Sequence, residues 1–250
     1  MYGQNACAWR VESMHPLDRP VWASLSTHHA ALSEGNAQAR RFARDVNLFA
    51  SACDDSPAGL AALAALVRPG ESIYLAQVPA IVIPPGLVAV KQAEAVQMIA
   101  MRDLLFEAVA DDILTLGDAD TPEMLALARL TEPGPFLERT HAMGHFRGIR
   151  IDGRLAAMAG ERMRFPGHTE VSGVCTHPDF RSCGLARRLS AAVVSGIAFR
   201  GDRAFLHAWK TNRAAISLYQ GLGFELRAEV NVAELVRNTS CHEQARMRAE

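Results

Sequence analysis

The residues best suited to chemistry lie between Glu170 and Leu189, where the sequence reads EVSGVCTHPDFRSCGLARRL. Residues Thr169 to Thr176 are rich in β-branched types and predict a strand. His177-Pro178 ends this strand, because proline lacks an N–H group and restricts the residue before it. From Leu185 onward, apolar residues recur at helical spacing and predict a helix.

The turn between this strand and this helix is Arg181-Ser182-Cys183-Gly184-Leu185-Ala186. The first N–H groups of a helix have no internal partner, and the helix dipole makes that end positive, so it can bind phosphate. Gly184 and Ala186 keep the backbone accessible to a pyrophosphate, and Arg181 adds a positive charge. The pattern [QR]-x-x-G-x-[GA] after a strand therefore predicts a phosphate-binding turn, with an ordinary strand-to-helix connection as the alternative.

Residues Val174 to Leu189 resemble motif A of the GNAT superfamily of acyl-CoA-dependent N-acyltransferases, in the branch similar to glycine N-acyltransferase. The resemblance continues through Asn212 to Tyr219 (NRAAISLY) and Leu222-Gly223-Phe224, which look like the second cofactor-side motif. It covers roughly the C-terminal half of the chain. It implies an N-acetyltransferase that uses acetyl-CoA (coenzyme A) as cosubstrate and no metal.

The resemblance also implies where the cofactor binds. The predicted strand splays from its neighbour, so that its backbone pairs with the pantetheine arm, and the N–H of Val174 polarises the thioester carbonyl. Asn212 hydrogen-bonds the cofactor, and the turn faces the pyrophosphate through backbone amides. The implied cofactor-binding residues are Val174, Cys175, Thr176, Arg181, Ser182, Cys183, Gly184, Leu185, Ala186, Arg187, Asn212 and Tyr219.

The resemblance implies that Glu170 is the general base, which takes the proton of the acceptor amine through water. It lies four residues before Val174, so strand alternation predicts that both side chains face the same side. Burial in an apolar strand is expected to raise its pKa toward a useful range. A solvated glutamate at a strand end is the alternative, and the rival bases are His168, Glu161 and His177.

Tyr219 is the implied general acid, which protonates the leaving thiolate. Asn212 and Tyr219 are seven residues apart, close to two turns of ~3.6 residues, so they are predicted to share a helix face. A core tyrosine on an amphipathic helix is the alternative. Cys175 and Cys183 lie near His177, but their spacing does not define a nucleophilic set, so direct attack by the amine is expected.

The sequence gives the least information about the acceptor amine. Residues Pro133 to Gly144 and Phe165 to His168 are expected to shape its pocket. A small-molecule amine or an amino acid is the expected acceptor, and a polyamine-like amine, an antibiotic or a protein terminus stays open. Four more residues either line this pocket or belong to the core: Trp209, His207, Met143 and Phe146.

Composition limits the class of protein. The formal net charge of −1 provides no basic field for nucleic acid or an anionic membrane, and no apolar run approaches the ~20 residues of a membrane span. The five cysteines are odd in number and include no CxxC pair, which argues against a disulfide framework and a zinc site. The N-terminus shows no secretory signal pattern. We therefore expect a cytoplasmic protein, with a homodimer as an open possibility.

Turn and periodicity signals predict three regions. Residues 1–110 form an N-terminal α/β region of unclear role, which is compatible with a degenerate second copy of the same fold, and Ala39 to Ala52 is ambiguous between strand and helix. Residues 111–236 form the acyltransferase domain, with the order β-α-α-β-β-β-α-β-α-β, and residues 237–250 form a polar tail. The predicted fold class is α/β (α+β), a mixed, mostly antiparallel sheet flanked by helices.

Two other functions stay open beside the enzyme. A non-catalytic acyl-CoA-binding or regulatory module would keep the cofactor pocket without turnover. A nucleotide-binding α/β enzyme is disfavoured, because the sequence contains neither G-x-x-x-x-G-K-[ST] nor G-x-G-x-x-G with an acidic partner.

Overall fold

The computed structural model describes residues 15–101 and 111–238. The first residues of the predicted N-terminal region and residues 239–250 of the predicted tail lie outside these ranges. Arg237, which was predicted to begin the tail, is the last residue of the final strand described. The five α-helices described are α1 (Pro20–Leu25), α2 (Pro57–Ala65), α3 (Thr121–Thr131), α4 (Leu185–Phe199) and α5 (Arg213–Gln220). The strands are β1 (Ser33–Gly35), β2 (Ala39–Phe42), β3 (Ala50–Ala52), β4 (Ser72–Gln77), β5 (Leu87–Ala100), β6 (Leu114–Leu116), β7 (Phe146–Ile151), β8 (Arg154–Phe165), β9 (His168–Thr176), β10 (Arg203–Trp209) and β11 (Phe224–Arg237).

Eight of these strands form one sheet in the order β4-β11-β5-β10-β9-β8-β7-β6. Within it, β9 and β10 are parallel, and each other neighbouring pair in the described sheet is antiparallel. This confirms the predicted mixed, mostly antiparallel sheet flanked by helices. From residue 111 the elements follow the predicted order, with a short 3-10 helix at Thr140–Met143 as the second helical element.

Two strands of the N-terminal region, β4 and β5, lie inside this same sheet, where both pair with β11. A separate three-stranded sheet, β1-β2-β3, accounts for the ambiguous stretch from Ala39 to Ala52, which contains two of its strands. Helix α2 begins at Pro57 with the Ser56 hydroxyl accepting from the N–H of Gly59 (3.1 Å), as the cap signal predicts. The division into domains at residue 110 stays a prediction.

Helices cover both faces of the large sheet. The apolar stripe of α4, with Leu189, Val193 and Ile197, packs on residues of β5, β8, β9 and β10. On the opposite face, Val21 and Leu25 of α1 pack against Phe165, Phe205 and neighbouring residues. No helix within residues 15–101 and 111–238 combines the length and apolar character needed to cross a membrane.

The parallel pair β9–β10 stays together over only three residue pairs, ending at Glu170 opposite Phe205. Beyond that point β9 continues to Thr176 and β10 to Trp209, so the two strands diverge. On its other edge, β9 contains a bulge, since Gly173 and Val174 together oppose the single residue Ala159. Gly173 has a φ of 62°, in the left-handed region that favours glycine.

Replacing Gly173 with Ala should lower the free energy of unfolding by about 2 kcal/mol, because a Cβ there strains the backbone and lies 3.0 Å from the Phe146 ring. Gly167→Ala is the matched control. Gly167 also has a positive φ (77°), but an added Cβ meets no atom within 4 Å, so the loss should be about 1 kcal/mol. Urea unfolding of the two variants measures the difference. Equal losses would contradict the close approach at the bulge.

Candidate active site

The divergence of β9 and β10 opens a cleft of about 270 Å³. Three of the predicted cofactor-binding residues, Val174, Asn212 and Tyr219, line it. The cleft also extends to side chains of the N-terminal region, Phe49, Tyr74 and Ala95 among them. The other lining residues used below are Glu132, Pro133, Gly134, Pro135, Arg162, Gly173, His207 and Trp209.

The predicted phosphate-binding turn lies at the start of α4. Ser182 (φ 62°) and Gly184 (φ 72°) both adopt left-handed conformations, which turn the chain sharply into the helix. Within the described chain, no side chain caps the first turn of α4, so its N–H groups are open to a ligand. An added Cβ on Gly184 would meet no atom within 4 Å, and Arg181 is exposed beside it. The turn therefore has the accessible backbone and positive potential that a phosphate requires.

Other residues of the turn have distinct environments. Leu185 is buried in the core, so only its backbone is available to a ligand. Cys183 is exposed. Arg187 donates to the carbonyl of Gly221 at the end of α5 (2.8 Å), which ties the two cofactor-side helices together.

The bulge in β9 changes which way its side chains face. Val174 packs with Val171 against the α4 side of the sheet. Glu170 precedes Val171 directly and points to the opposite face. The prediction that Glu170 and Val174 face the same side is therefore wrong, because the extra residue at Gly173 shifts the alternation by one position.

Cys175, the next residue along β9, has its side chain buried against the α3 side of the sheet. Burial raises the pKa of the Cys175 thiol to about 11, so it stays protonated near neutral pH. Among the residues described, no group of three or more His, Cys, Asp or Glu side chains is placed to hold a metal ion.

Glu170 is completely buried at the last paired position of β9. Arg162 binds it through two hydrogen bonds, from Nε (2.8 Å) and Nη2 (2.6 Å), and the N–H of Met163 and Nδ1 of His207 lie at 3.3 and 2.7 Å. The predicted net rise in the pKa of Glu170 is wrong. Burial acts in that direction, but the charge and hydrogen bonds of Arg162, with a further contribution from His207, lower the pKa of Glu170 to about 2.

The neighbouring amide of Gln97 fixes the proton on His207. Arg227 donates to Gln97 Oε1 (2.9 Å), and Gln97 Nε2 donates to the carbonyl of Leu17 (2.8 Å), so the amide orientation is determined. Its second N–H then points to Nε2 of His207 at 3.1 Å. His207 is therefore the tautomer whose Nδ1–H donates to Glu170.

Tyr219 is 8% exposed and packs edge-to-face on Phe224, with ring centroids 5.9 Å apart. Burial raises the pKa of its phenol to about 12, so the hydroxyl keeps its proton at neutral pH and can donate it. Asn212 is the N-cap of α5 rather than a residue inside it, with Oδ1 accepting from the N–H of Ala215 (3.1 Å). Its NH₂ group has no partner in the part of the chain that is described.

None of the rival bases lines the cleft. Glu161 is buried against Arg200 (2.6 Å). His168 lies at the far end of β9 in a different cavity. Nδ1 of His177 accepts from the N–H of Asp179 (3.2 Å) in the turn after β9, and its Nε2 lies 3.0 Å from Nη2 of Arg154.

The predicted acceptor segments contribute unequally. Pro133, Gly134 and Pro135 of the first segment line the cleft, and the second segment lies at the far end of β9. His207 and Trp209 line the cleft, whereas Met143 and Phe146 are buried in the core.

Sequence reasoning missed Arg162 and Glu132. The Pro166-Gly167 hairpin pairs Arg164 with Thr169, and continuing that register back along β8 would have placed Met163, not Arg162, opposite Glu170. Arg162 reaches Glu170 because β8 has a bulge of its own, where Arg162 and Met163 together oppose Glu170. Glu132 directly follows α3 and precedes Pro133, where the segment predicted to shape the acceptor pocket begins.

Comparisons with known proteins agree with this geometry. The family model described as FR47-like protein matches residues 147–232. A solved structure from Novosphingobium aromaticivorans DSM 12444, assigned to the acetyltransferases of the GNAT family, is 43% identical to this chain. The match covers 90% of this chain and 100% of that one, with a TM-score of 0.85.

Two other solved structures share the fold. They are a GCN5-related N-acetyltransferase from Kribbella flavida and a GCN5-related N-acetyltransferase-like protein from Streptococcus suis 89/1591, each with a TM-score of 0.58. Their identities are 22% and 16%, and the matches cover 92% of this chain and 99% and 100% of theirs. A comparison with curated proteins finds no match.

The Glu170–Arg162 pair should make the free energy of unfolding depend on pH in the acidic range. Because the pKa of Glu170 is lowered from 4.5 to about 2, its contribution is complete above pH 4.5 and is lost as the pH falls toward 2. Glu170→Gln should remove this part of the pH dependence and lower the free energy of unfolding at pH 7 by about 3 kcal/mol, since Arg162 is left buried without a counter-charge.

Denaturant unfolding between pH 2 and pH 7 measures both effects. Glu138→Gln is the control, because Glu138 is exposed and has no ion-pair partner among the described residues. An unchanged pH slope in Glu170→Gln would show that the pair does not hold the carboxylate ionised.

Proposed function

Because the chain belongs to the GNAT family of acetyltransferases, we propose that it transfers an acetyl group from acetyl-CoA to a primary amine by direct attack. The supporting observation is that β9 leaves β10 after Glu170, beside the uncapped start of α4. Together these provide an unpaired strand edge for an amide-rich arm and open N–H groups for a diphosphate. A closer relation to the glycine N-acyltransferase branch is part of the proposal and depends on the motif residues.

In this proposal the cofactor lies along β9 and over the start of α4. The backbones of Val174, Cys175 and Thr176 would pair with the pantetheine arm. The amides from Ser182 to Arg187 would bind the pyrophosphate, with Arg181 adding charge. The NH₂ group of Asn212, left free because Oδ1 caps α5, would donate to a pantetheine carbonyl.

The reaction would proceed without a covalent enzyme intermediate, in keeping with the protonated thiol of Cys175. The neutral amine nitrogen attacks the thioester carbonyl, whose oxygen gains negative charge and accepts a hydrogen bond from the N–H of Val174. The carbon–sulfur bond then breaks. Tyr219, whose hydroxyl stays protonated, would give its proton to the leaving thiolate.

The amine must lose a proton, and Glu170 is the proposed base acting through water. Its environment restricts this role, because a carboxylate with a pKa near 2 is a weak proton acceptor. Arg162 and His207, rather than Glu170 itself, line the cleft. Glu170 would therefore take the amine proton only through water, and it would also hold Arg162 and the His207 tautomer in place.

The N-terminal region gains a role in this proposal. Phe49, Tyr74 and Ala95 line the cleft on the side away from α4, so residues 1–110 would supply part of the acceptor wall to the catalytic region 111–236. The acceptor would be a small-molecule amine or an amino acid rather than a nucleic acid or a membrane. The proposal also includes a cytoplasmic location and leaves room for a homodimer.

Tyr219→Phe should lower kcat about a hundredfold, because the thiolate loses its proton donor. The ring and its packing on Phe224 remain, so the Kd for coenzyme A should not change. Acceptor-dependent thiol release over a panel of amines measures kcat, and calorimetric titration measures Kd. An unchanged kcat would remove the acid assignment, and tight cofactor binding without thiol release from the native protein would favour a binding module.

Gly184→Glu should weaken coenzyme A binding at least about tenfold, because it places a carboxylate where the diphosphate would lie. Gly201→Glu, just past the other end of α4, is the matched control. Both glycines have a positive φ (72° and 81°), and an added Cβ meets no atom within 4 Å at either. Calorimetric titration of coenzyme A compares the two, and similar affinities would contradict the phosphate-binding turn.

A further inference from the structure

Glu132 is a carboxylate at the cleft that the proposed mechanism does not use. It follows the last residue of α3, and its side chain is exposed and lines the cleft. Across the residues that the structure describes, no ion pair or hydrogen bond occupies this carboxylate. It is therefore available to a ligand in the cleft.

The backbone of Glu132 is held in an unfavourable conformation. Its φ of 49° and ψ of 55° are left-handed, which glycine or asparagine adopts more readily at this helix position. It also precedes Pro133, which restricts the preceding residue to extended conformations. A charged residue at a strained position that lines a cleft points to a use for its side chain.

The other ionised groups lining the cleft are already compensated. Arg162 is bound by Glu170 through two hydrogen bonds, and its guanidinium lies over the Phe49 ring at 4.8 Å. Each remaining described residue of the lining is neutral, with His207 held as the tautomer described above. Glu132 therefore leaves the acceptor side with a net negative charge beside an apolar wall that includes Phe49, Ala95 and Trp209.

We propose that Glu132 binds the acceptor in its ammonium form and selects cationic amines with an apolar body over zwitterionic amino acids. This inference rests on the proposed acetyltransferase function and narrows its acceptor class. Glu132 acts during capture, before the amine loses its proton and attacks the thioester. A carboxylate on the acceptor would be repelled by Glu132 and would find the guanidinium of Arg162 already neutralised.

The test uses 2-phenylethylamine and phenylalanine, which differ only in the carboxylate, with thiol release from acetyl-CoA as the readout. The native protein should show a lower KM for 2-phenylethylamine, and this KM should rise with ionic strength. Glu132→Gln should raise it about five- to tenfold and reduce its salt dependence. The KM for phenylalanine and the Kd for coenzyme A should change little.

Glu132→Gly separates this role from a structural one. Glycine relieves the left-handed strain, so Tm should equal or exceed that of the native protein, while KM for 2-phenylethylamine should rise as in Glu132→Gln. Glu138 is an exposed carboxylate of the same loop that does not line the cleft. Glu138→Gln should therefore leave the KM for 2-phenylethylamine unchanged.

The outcomes distinguish the two levels of the proposal. Turnover with an unchanged KM in both Glu132 variants, or equal KM values for the two compounds in the native protein, would overturn the role of Glu132 alone. A native protein that binds coenzyme A but releases no thiol with any amine would overturn the proposed function and, with it, this inference.

Discussion

A buried carboxylate holds three strands together where the sheet divides. Glu170 lies at the last pair between β9 and β10, with Arg162 reaching it from β8 and His207 from β10. A charge without exposure to water is tolerated only when donors surround it, and four do so here. The cleft lies directly beyond this fixed point, and the cluster fixes the positions of Arg162 and His207 in its wall. Gln97 extends the cluster by fixing the ring of His207.

Local signals were sufficient to predict the strand, the turn and the helix that we propose as the cofactor side of the site. Pro178 ends a strand, Gly184 begins a helix, and apolar spacing defines α4, so each step depends on residues close in sequence. The environment of Glu170 could not be obtained in this way. Its orientation depends on an extra residue at Gly173, and its pKa depends on an arginine from the neighbouring strand. Burial alone predicted the wrong sign, because the partner decides whether a buried carboxylate is neutral or charged.

The wall of the cleft that N-terminal residues form was beyond sequence reasoning for a different reason. The strand order places β5 between β10 and β11, and this arrangement brings Ala95 and Tyr74 to a cleft formed by motifs more than 70 residues later in the chain. Periodicity can indicate that a segment such as β4 forms a strand, yet it carries no information on which strands become neighbours. Residue patterns therefore located the cofactor motifs without revealing the wall opposite them.

The position of β11 between β4 and β5 has a consequence for biosynthesis. In the large sheet β4 has β11 as its one neighbour, although about 150 residues of chain separate the two strands. A ribosome delivers β4 long before it delivers β11, so the nascent chain must carry an unpaired edge through most of translation. The lining of the cleft is complete only after β11 has left the ribosome. Until β11 pairs with it, β4 presents the kind of unpaired strand edge through which chains aggregate, so the late pairing also removes an aggregation-prone edge.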